Sequence, residues 1–368
     1  MTAIEELALL LRPAGGGVHL VSSGRAGQLA AQRRIYGVAD DAAVQAAFRE
    51  RLSRIATARV VLLGVPSDVG AGFLRGANQG PLAIREALLA EDPAWLDGAA
   101  AAGLVDVGDV FVVPQLLHDE MLSASQLEAS RRALYPGVEA GVAARLPVSP
   151  LSMAERALDL VLSLNPAAAP VLLGGDHSVA WPAVAALHRV RPDLGVVQVD
   201  AHTDLLEERL GVRYCFGTWS FHANDLVGRG GRLVQVGIRA SGRDRAHWEG
   251  TLGVRQLWAD EVRRDPRAAL DAVVAAVRAS GARSVYLSND IDGTDAAWAD
   301  ATGTPEPGGL EPTFVEALIR RLGREFALAG GDVMEVAPPI ARTPGGAERT
   351  LRVAVRYLRA TVDALLGR

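Results

Sequence analysis

The 368-residue sequence contains no lysine; all 38 basic residues are arginine. A chain without lysine can neither form a Schiff base through its own side chains nor supply the lysine of a phosphate-binding loop. Arginine-favouring codons in a GC-rich genome account for this more simply than function does. Cysteine is almost absent too, and the single Cys215 cannot close an internal disulfide, which suits a reducing compartment. No apolar run approaches the length of a membrane span, and Glu5 and Glu6 stand where a signal peptide would carry basic residues. Long blocks of like charge are missing and the net charge is only −5, so neither nucleic acid nor an anionic membrane is the expected partner. The expectation is a soluble, cytoplasmic chain.

What is present is a hydrophobic fraction of 49%, ample for a large core. Residues 1–57 mix a short amphipathic run at 4–11, a triple-glycine break and an Ala- and Arg-rich helical pattern at 41–55, and read as an N-terminal extension without chemistry. Residues 58–368 read as one catalytic domain. A strand at 59–65, a glycine-rich loop at 70–80 and a helix opening at Pro81 are followed by a strand at 103–113 around DVGDV and a helical pattern at 122–134. Strands at 170–173, 195–199, 232–238, 284–288 and 332–336 then alternate with helices at 152–164, 179–190, 260–279, 312–328 and 347–366, with a polar loop at 205–230. Such alternation implies right-handed crossovers and a mainly parallel sheet with helices on both faces, a three-layer α/β/α arrangement. Sites in such sheets lie at the carboxyl ends of the strands.

Three of those strand ends carry metal-ligand chemistry. The run LGVVQV leads into Asp200, His202 and Asp204, which share one side if the extended conformation continues. A second strand leads through two glycines to His177, and a third to Asp290 and Asp292. Alone, the triplet suits an acidic strand end facing solvent equally well, His177 a helix-start residue bonded to backbone, and Asp290 with Asp292 a solvated loop; together they make a set of four carboxylates and two imidazoles. Carboxylates gathered so closely raise one another's pKa and cannot all remain ionised without cations. Two divalent ions would neutralise them, and oxygen plus imidazole donors without thiolate suit Mn2+, with Ni2+ or another divalent transition metal admitted by the same donors.

Six motifs, GVPSDVGAGFLRGANQGPLAIRE, DVGDV, GGDHS, DAHTD, SNDIDGTD with ATGTPEPGGL, and DVMEVAPP, resemble in type and order those of the ureohydrolases: arginases, agmatinases and relatives such as formimidoylglutamase. The resemblance runs from Val61 to Pro338 and implies an arginase-type fold assembled as a homotrimer or homohexamer. It implies that His177, Asp200, Asp204 and Asp290 bind one manganese and His202, Asp200, Asp290 and Asp292 the other, so that Asp200 and Asp290 bridge. It also implies that water activated between the ions attacks the central carbon of a guanidino compound, with Asp204 orienting it, Glu335 holding the guanidinium and urea leaving.

Departures shape the expected substrate. Where that family carries a histidine before Gly-Thr, this chain has Phe216 before Gly217 and Thr218, leaving Phe216 and Thr218 as substrate-lining candidates and His222 as the nearest residue able to carry a proton. The loop from Leu205 to Tyr214 lacks the small polar residues by which arginases grip an α-amino acid, so the expected substrate is agmatine-like and not L-arginine. A formimidoylglutamase-like hydrolase and a metal-binding relative without catalysis are the alternatives.

Overall fold

The computed structural model describes residues 1–368. One sheet contains nine strands: β1 (Leu11–Arg12), β2 (Val60–Val65), β3 (Leu104–Val110), β4 (Ala169–Gly174), β5 (Leu194–Val199), β6 (Leu233–Ile238), β7 (Arg255–Trp258), β8 (Ser284–Asn289) and β9 (Ala327–Val333). Their order across the sheet is β1-β3-β2-β4-β9-β8-β5-β6-β7, every pairing parallel except that of β1 with β3. Strands β2, β4, β5, β6 and β8 are buried at every residue, as parallel strands covered on both faces must be.

Alternating side chains divide between two cores. Val61, Leu63 and Val65 of β2 join Leu194 and Val196 of β5 beneath the helices Ala3–Leu10, Pro150–Leu164 and Ala180–Val190. Val60 and Leu62 join Val197 and Val199 beneath Pro266–Ala279, Pro312–Glu325 and Gly346–Leu366. Each such Val or Leu contributes roughly 1.5–3 kcal/mol through burial. The three-layer α/β/α arrangement expected from the alternation of strands and helices is the one observed.

The N-terminal residues are built into the β3 edge. Thr2 and Glu5 cap the helix Ala3–Leu10, β1 extends the sheet, and Val44, Phe48 and Leu52 of the helix Asp41–Ser53 enter the first core. Both aspartates of DVGDV serve this same edge, because buried Arg85 donates to Asp106 and Asp109 while the Gly15 N–H donates to Asp109 at 2.7 Å. In the glycine-rich loop, the Gly70 N–H goes to Asp176 at 3.0 Å, tying the loop to the turn after β4, and the Gly76 N–H closes back on Asp68 at 2.8 Å.

Elsewhere the chain departs from the predicted elements. The polar loop expected at 205–230 contains the helix Trp219–Val227, seven of whose nine residues are buried, so it shows no polar stripe at helical period. The single helix expected at 260–279 is two, because Pro266 has no N–H with which to continue the helix Ala259–Arg264 and instead starts the next, capped by Asp265. The short edge strand β7 and the helices Pro93–Ala101 and Arg245–Leu252 were not predicted. The last strand lies at 327–333 instead of 332–336. Gly330 and Gly331 look like a turn in sequence, but they sit where a Cβ would come within 2.4 Å of the Pro170 carbonyl oxygen and 2.8 Å of that of Leu287.

Candidate metal centre

Four neighbouring strands, β4, β9, β8 and β5, deliver the site from their carboxyl ends. After β4, Gly175 lets the turn pass the Ser67 backbone so closely that a Cβ would lie 1.7 Å from its carbonyl oxygen, and the turn presents His177. After β5 the extended backbone stops at Val199, so Asp200, His202 and Asp204 occupy a loop and not a continued strand. Asp204 has φ 52°, a left-handed conformation costly for a non-glycine residue, which turns its carboxylate back toward His177. Asp290 and Asp292 lie on a one-turn 3-10 segment after β8, where the Asp290 side chain accepts from the Asp292 N–H at 2.8 Å. Glu335 lies two residues beyond β9 with φ 61°.

The six predicted ligands converge. His177 Nδ1 lies 3.2 Å from Asp200 Oδ2, 3.3 Å from Asp204 Oδ2 and 3.0 Å from Asp290 Oδ2. His202 Nδ1 lies 3.0 Å from Asp292 Oδ2 and 3.6 Å from Asp200 Oδ1. Ligand atoms of His177, Asp200 and Asp290 fall within 4.8 Å of one another, as do those of Asp200, His202 and Asp292. Asp200 belongs to both groups, one oxygen toward each, which is the geometry of a bridging carboxylate. Asp290 falls in the first group only.

The surroundings prepare His177 as a ligand. The Ser288 hydroxyl donates to Asp332 at 2.9 Å, so its oxygen accepts from His177 Nε2–H at 2.9 Å, and Nδ1 is the nitrogen whose lone pair becomes available once its proton is displaced. That Nδ1 is buried and has no hydrogen-bond partner within the chain. An orphaned, inward-facing imidazole nitrogen ringed by carboxylate oxygens fits a divalent cation. Trp219 Nε1–H donates to Asp204 at 2.9 Å, Thr304 donates to Asp292 at 3.1 Å, and Gln198 donates to Asp200 at 2.7 Å. None of these partners was singled out from sequence. Thr304 lies in the ATGTPEPGGL motif, whereas Gln198 lies inside a valine-rich strand with nothing to mark it.

The electrostatics show charge crowding. Burial and the neighbouring Asp292 and Asp200 hold Asp290 well above the usual carboxylate range, and burial with Asp200 pushes Asp204 up to about 6. Burial opposes charge on both imidazoles, yet the carboxylates outweigh it: His177 is raised well above its ordinary value, and Asp292 with Asp200 pushes His202 up to about 12. Before any ion binds, both rings are therefore protonated at neutral pH, and a metal must displace those protons. Protein stripped by a chelator is accordingly expected to release protons as it takes up Mn2+, with apparent affinity rising with pH through the neutral range. Calorimetric titration in buffers of different ionisation enthalpy measures this, and buffer-independent, pH-independent binding would contradict it.

The other candidates are placed differently. Glu335 Oε1 accepts from the His177 N–H at 2.9 Å, and burial followed by Asp176 raises its pKa well above the ordinary value, so its ionised form calls for a cation beside it. Phe216 lines a cavity of about 540 Å³ with Val69, Phe73, Leu116, Leu210 and Val212; none of the six ligands lines it, and its only charged lining residue is Arg209. Thr218 is fully buried, its hydroxyl donating to the Arg213 carbonyl at 2.7 Å and accepting from the Cys215 N–H at 2.9 Å, so it shapes its own loop. His222 stands apart from the six, its Nε2 at 3.0 Å from the Arg213 carbonyl and its ring packed on Tyr214 and Phe221.

Comparison with known proteins follows the same lines. The sequence profile of the Arginase family matches residues 58–362. The chain is 33% identical over 291 residues to guanidinobutyrase of Pseudomonas aeruginosa, covering 76% of this chain and 79% of that protein. It is 34% identical over 291 residues to N(1)-aminopropylagmatine ureohydrolase of Thermus thermophilus, covering 79% and 87%. The structure of proclavaminate amidino hydrolase from Streptomyces clavuligerus superposes with a TM-score of 0.62 at 29% identity, covering 83% of this chain and 92% of that one.

Proposed function

The chain belongs to the arginase family, and from that premise we propose that it is a dinuclear-metal ureohydrolase cleaving a C–N bond of a guanidino compound other than L-arginine, with release of urea. The observation that carries this reading is Asp200, shared between two His/Asp groups at adjacent strand ends, with Glu335 beside them. His177, Asp200, Asp204 and Asp290 would hold one ion; His202 and Asp292, with Asp200 and Asp290 shared, would hold the other. Manganese suits these donors, and nickel or another divalent transition metal is compatible with them. Two bound cations supply charge neutralisation and a water acidified toward neutral pH.

The chain's own residues supply the rest. Glu335 keeps one oxygen on the His177 N–H and offers the other to the planar N–H fork of a guanidinium. Asp204, fixed by Trp219, faces the metal centre, where it would orient the attacking water. Phe216 has no proton to give the leaving amine, and the His222 Nε2 is engaged with the Arg213 carbonyl. Solvent therefore delivers that proton in this reading. We further read the enzyme as a homotrimer or homohexamer.

The cavity beside Phe216 bears on the substrate. Among its lining residues no carboxylate meets an α-ammonium group, and Arg209 would repel one. Arg209 could meet the α-carboxylate of L-arginine, but nothing in the lining answers its α-ammonium group, whose desolvation would go uncompensated. Mn2+-loaded protein is thus expected to release urea from at least one of agmatine, 4-guanidinobutyrate, 3-guanidinopropionate or guanidine, and negligible urea from L-arginine. Efficient arginine hydrolysis would overturn the specificity, formamide from formimidoylglutamate would favour the second reading raised by Phe216, and no product from any compound would overturn hydrolysis.

A further inference from the structure

Three glutamines stand side by side across the end of the sheet. Gln198 of β5 is in register with Gln235 of β6, and Gln235 with Gln256 of β7. Gln198 and Gln235 are fully buried and Gln256 nearly so, on the face beneath the helix Trp219–Val227. Their amides form a continuous chain. Trp258 Nε1–H donates to Gln256 Oε1 at 3.1 Å, Gln256 Nε2 to Gln235 Oε1 at 2.8 Å, Gln235 Nε2 to Gln198 Oε1 at 2.7 Å, and Gln198 Nε2 to Asp200 Oδ2 at 2.7 Å. Interior glutamines in valine-rich strands carry a desolvation cost that apolar residues would avoid, so a full ladder of them calls for an explanation.

The direction of the ladder is dictated by its partners. An indole N–H is a donor only, so Gln256 must turn its oxygen toward Trp258 and its NH2 toward Gln235, and each following amide must take the same sense. A second, independent group agrees: the Thr203 carbonyl is an acceptor only and takes Gln235 Nε2–H at 2.6 Å. The Ser220 hydroxyl donates to Gln198 Oε1 at 2.8 Å, reinforcing the oxygen end of that amide. The outcome is that Gln198 can present only N–H to Asp200. The other oxygen of Asp200 accepts the His202 N–H at 2.7 Å. With a donor on each oxygen, the carboxylate plane is set so that Oδ2 faces the His177 group and Oδ1 the His202 group.

We propose that Trp258, Gln256, Gln235 and Gln198 are positioning residues that fix the bridging carboxylate of Asp200 from the far edge strand, about 10 Å away across two strand spacings. The inference rests on the metal-binding reading of the site. Outer partners of metal ligands govern affinity by orienting the ligand, typically by ten- to a hundred-fold.

The test is Mn2+ titration of chelator-stripped protein, followed by calorimetry, with the thermal midpoint of each stripped variant as a parallel readout. Gln235→Met keeps the volume but removes both amide contacts, and is expected to weaken Mn2+ binding about ten-fold. Trp258→Phe, at the half-buried end of the ladder where loss of folding is least to be feared, is expected to weaken it in the same direction by about two- to three-fold. A purely structural ladder would lower the thermal midpoints of the stripped variants while leaving Mn2+ affinity unchanged, and that result overturns the proposal. Parent protein that bound no Mn2+ would overturn the metal reading and this inference together; normal affinity in both variants overturns this inference alone.

Discussion

Asp200→Asn is expected to empty both metal positions at once. The carboxylate reaches both ligand clusters, one oxygen toward each, and an amide can offer one oxygen but not two anionic ones. Burial disfavours its charge, yet His177 and His202 hold Asp200 below the usual carboxylate range, so its charge is integral to the site before any ion arrives. Removing that charge leaves the two imidazoles with less to bind and takes from both ions the carboxylate that reaches each of them. Turnover should fall to background. Thermal stability measured in excess Mn2+ should fall as well, since a ligand present at a hundred times its dissociation constant contributes about 2.7 kcal/mol that a non-binding variant forgoes. Elemental analysis is the deciding measurement: two equivalents of metal and full turnover in purified Asp200→Asn would refute the dinuclear centre.

Glu335→Gln should separate substrate binding from metal binding. The amide oxygen can still accept the His177 N–H, so the turn after β4 should hold its shape and the metals should stay. The other end of the side chain then becomes an NH2 facing the N–H groups of a guanidinium, donor against donor. Loss of a hydrogen bond to a charged group costs roughly 1.5–3 kcal/mol. In kcat/KM that is about ten- to a hundred-fold on the true substrate. Unchanged kinetics with metals retained would remove Glu335 from the substrate's surroundings.

The strand ends that bear the candidate ligands were legible because each couples a short apolar run to an abrupt polar cluster, and that coupling depends only on neighbouring residues. Much of the support for those ligands was not. Gln198 and Gln235 look like outward-facing positions of half-buried strands, and only the pairing of β5 with β6 and β7 shows them facing one another indoors. The helix Trp219–Val227, which supplies the partner of Asp204, is buried on most sides and so lacks the polar stripe by which a helix announces itself. Glu335 was set at the end of a strand spanning 332–336. In the fold it stands beyond the strand end, in a left-handed conformation that side-chain chemistry alone does not reveal. Packing decides such features between segments far apart in sequence, where periodicity has no reach.

The order of the sheet also bears on biosynthesis. β4 and β5 follow each other closely in the chain, yet in the sheet they are held apart by β9 and β8, which are translated last among the strands. A growing chain that has already exposed His177 and Asp204 still lacks Asp290, Asp292 and the two strands that set the distance between the earlier ligands. No ion can be gripped at an intermediate stage with the full donor set, because the gap those ligands surround is defined only when the C-terminal third arrives. In the metal-binding reading, the complete donor set would thereby exist only in a nearly finished chain.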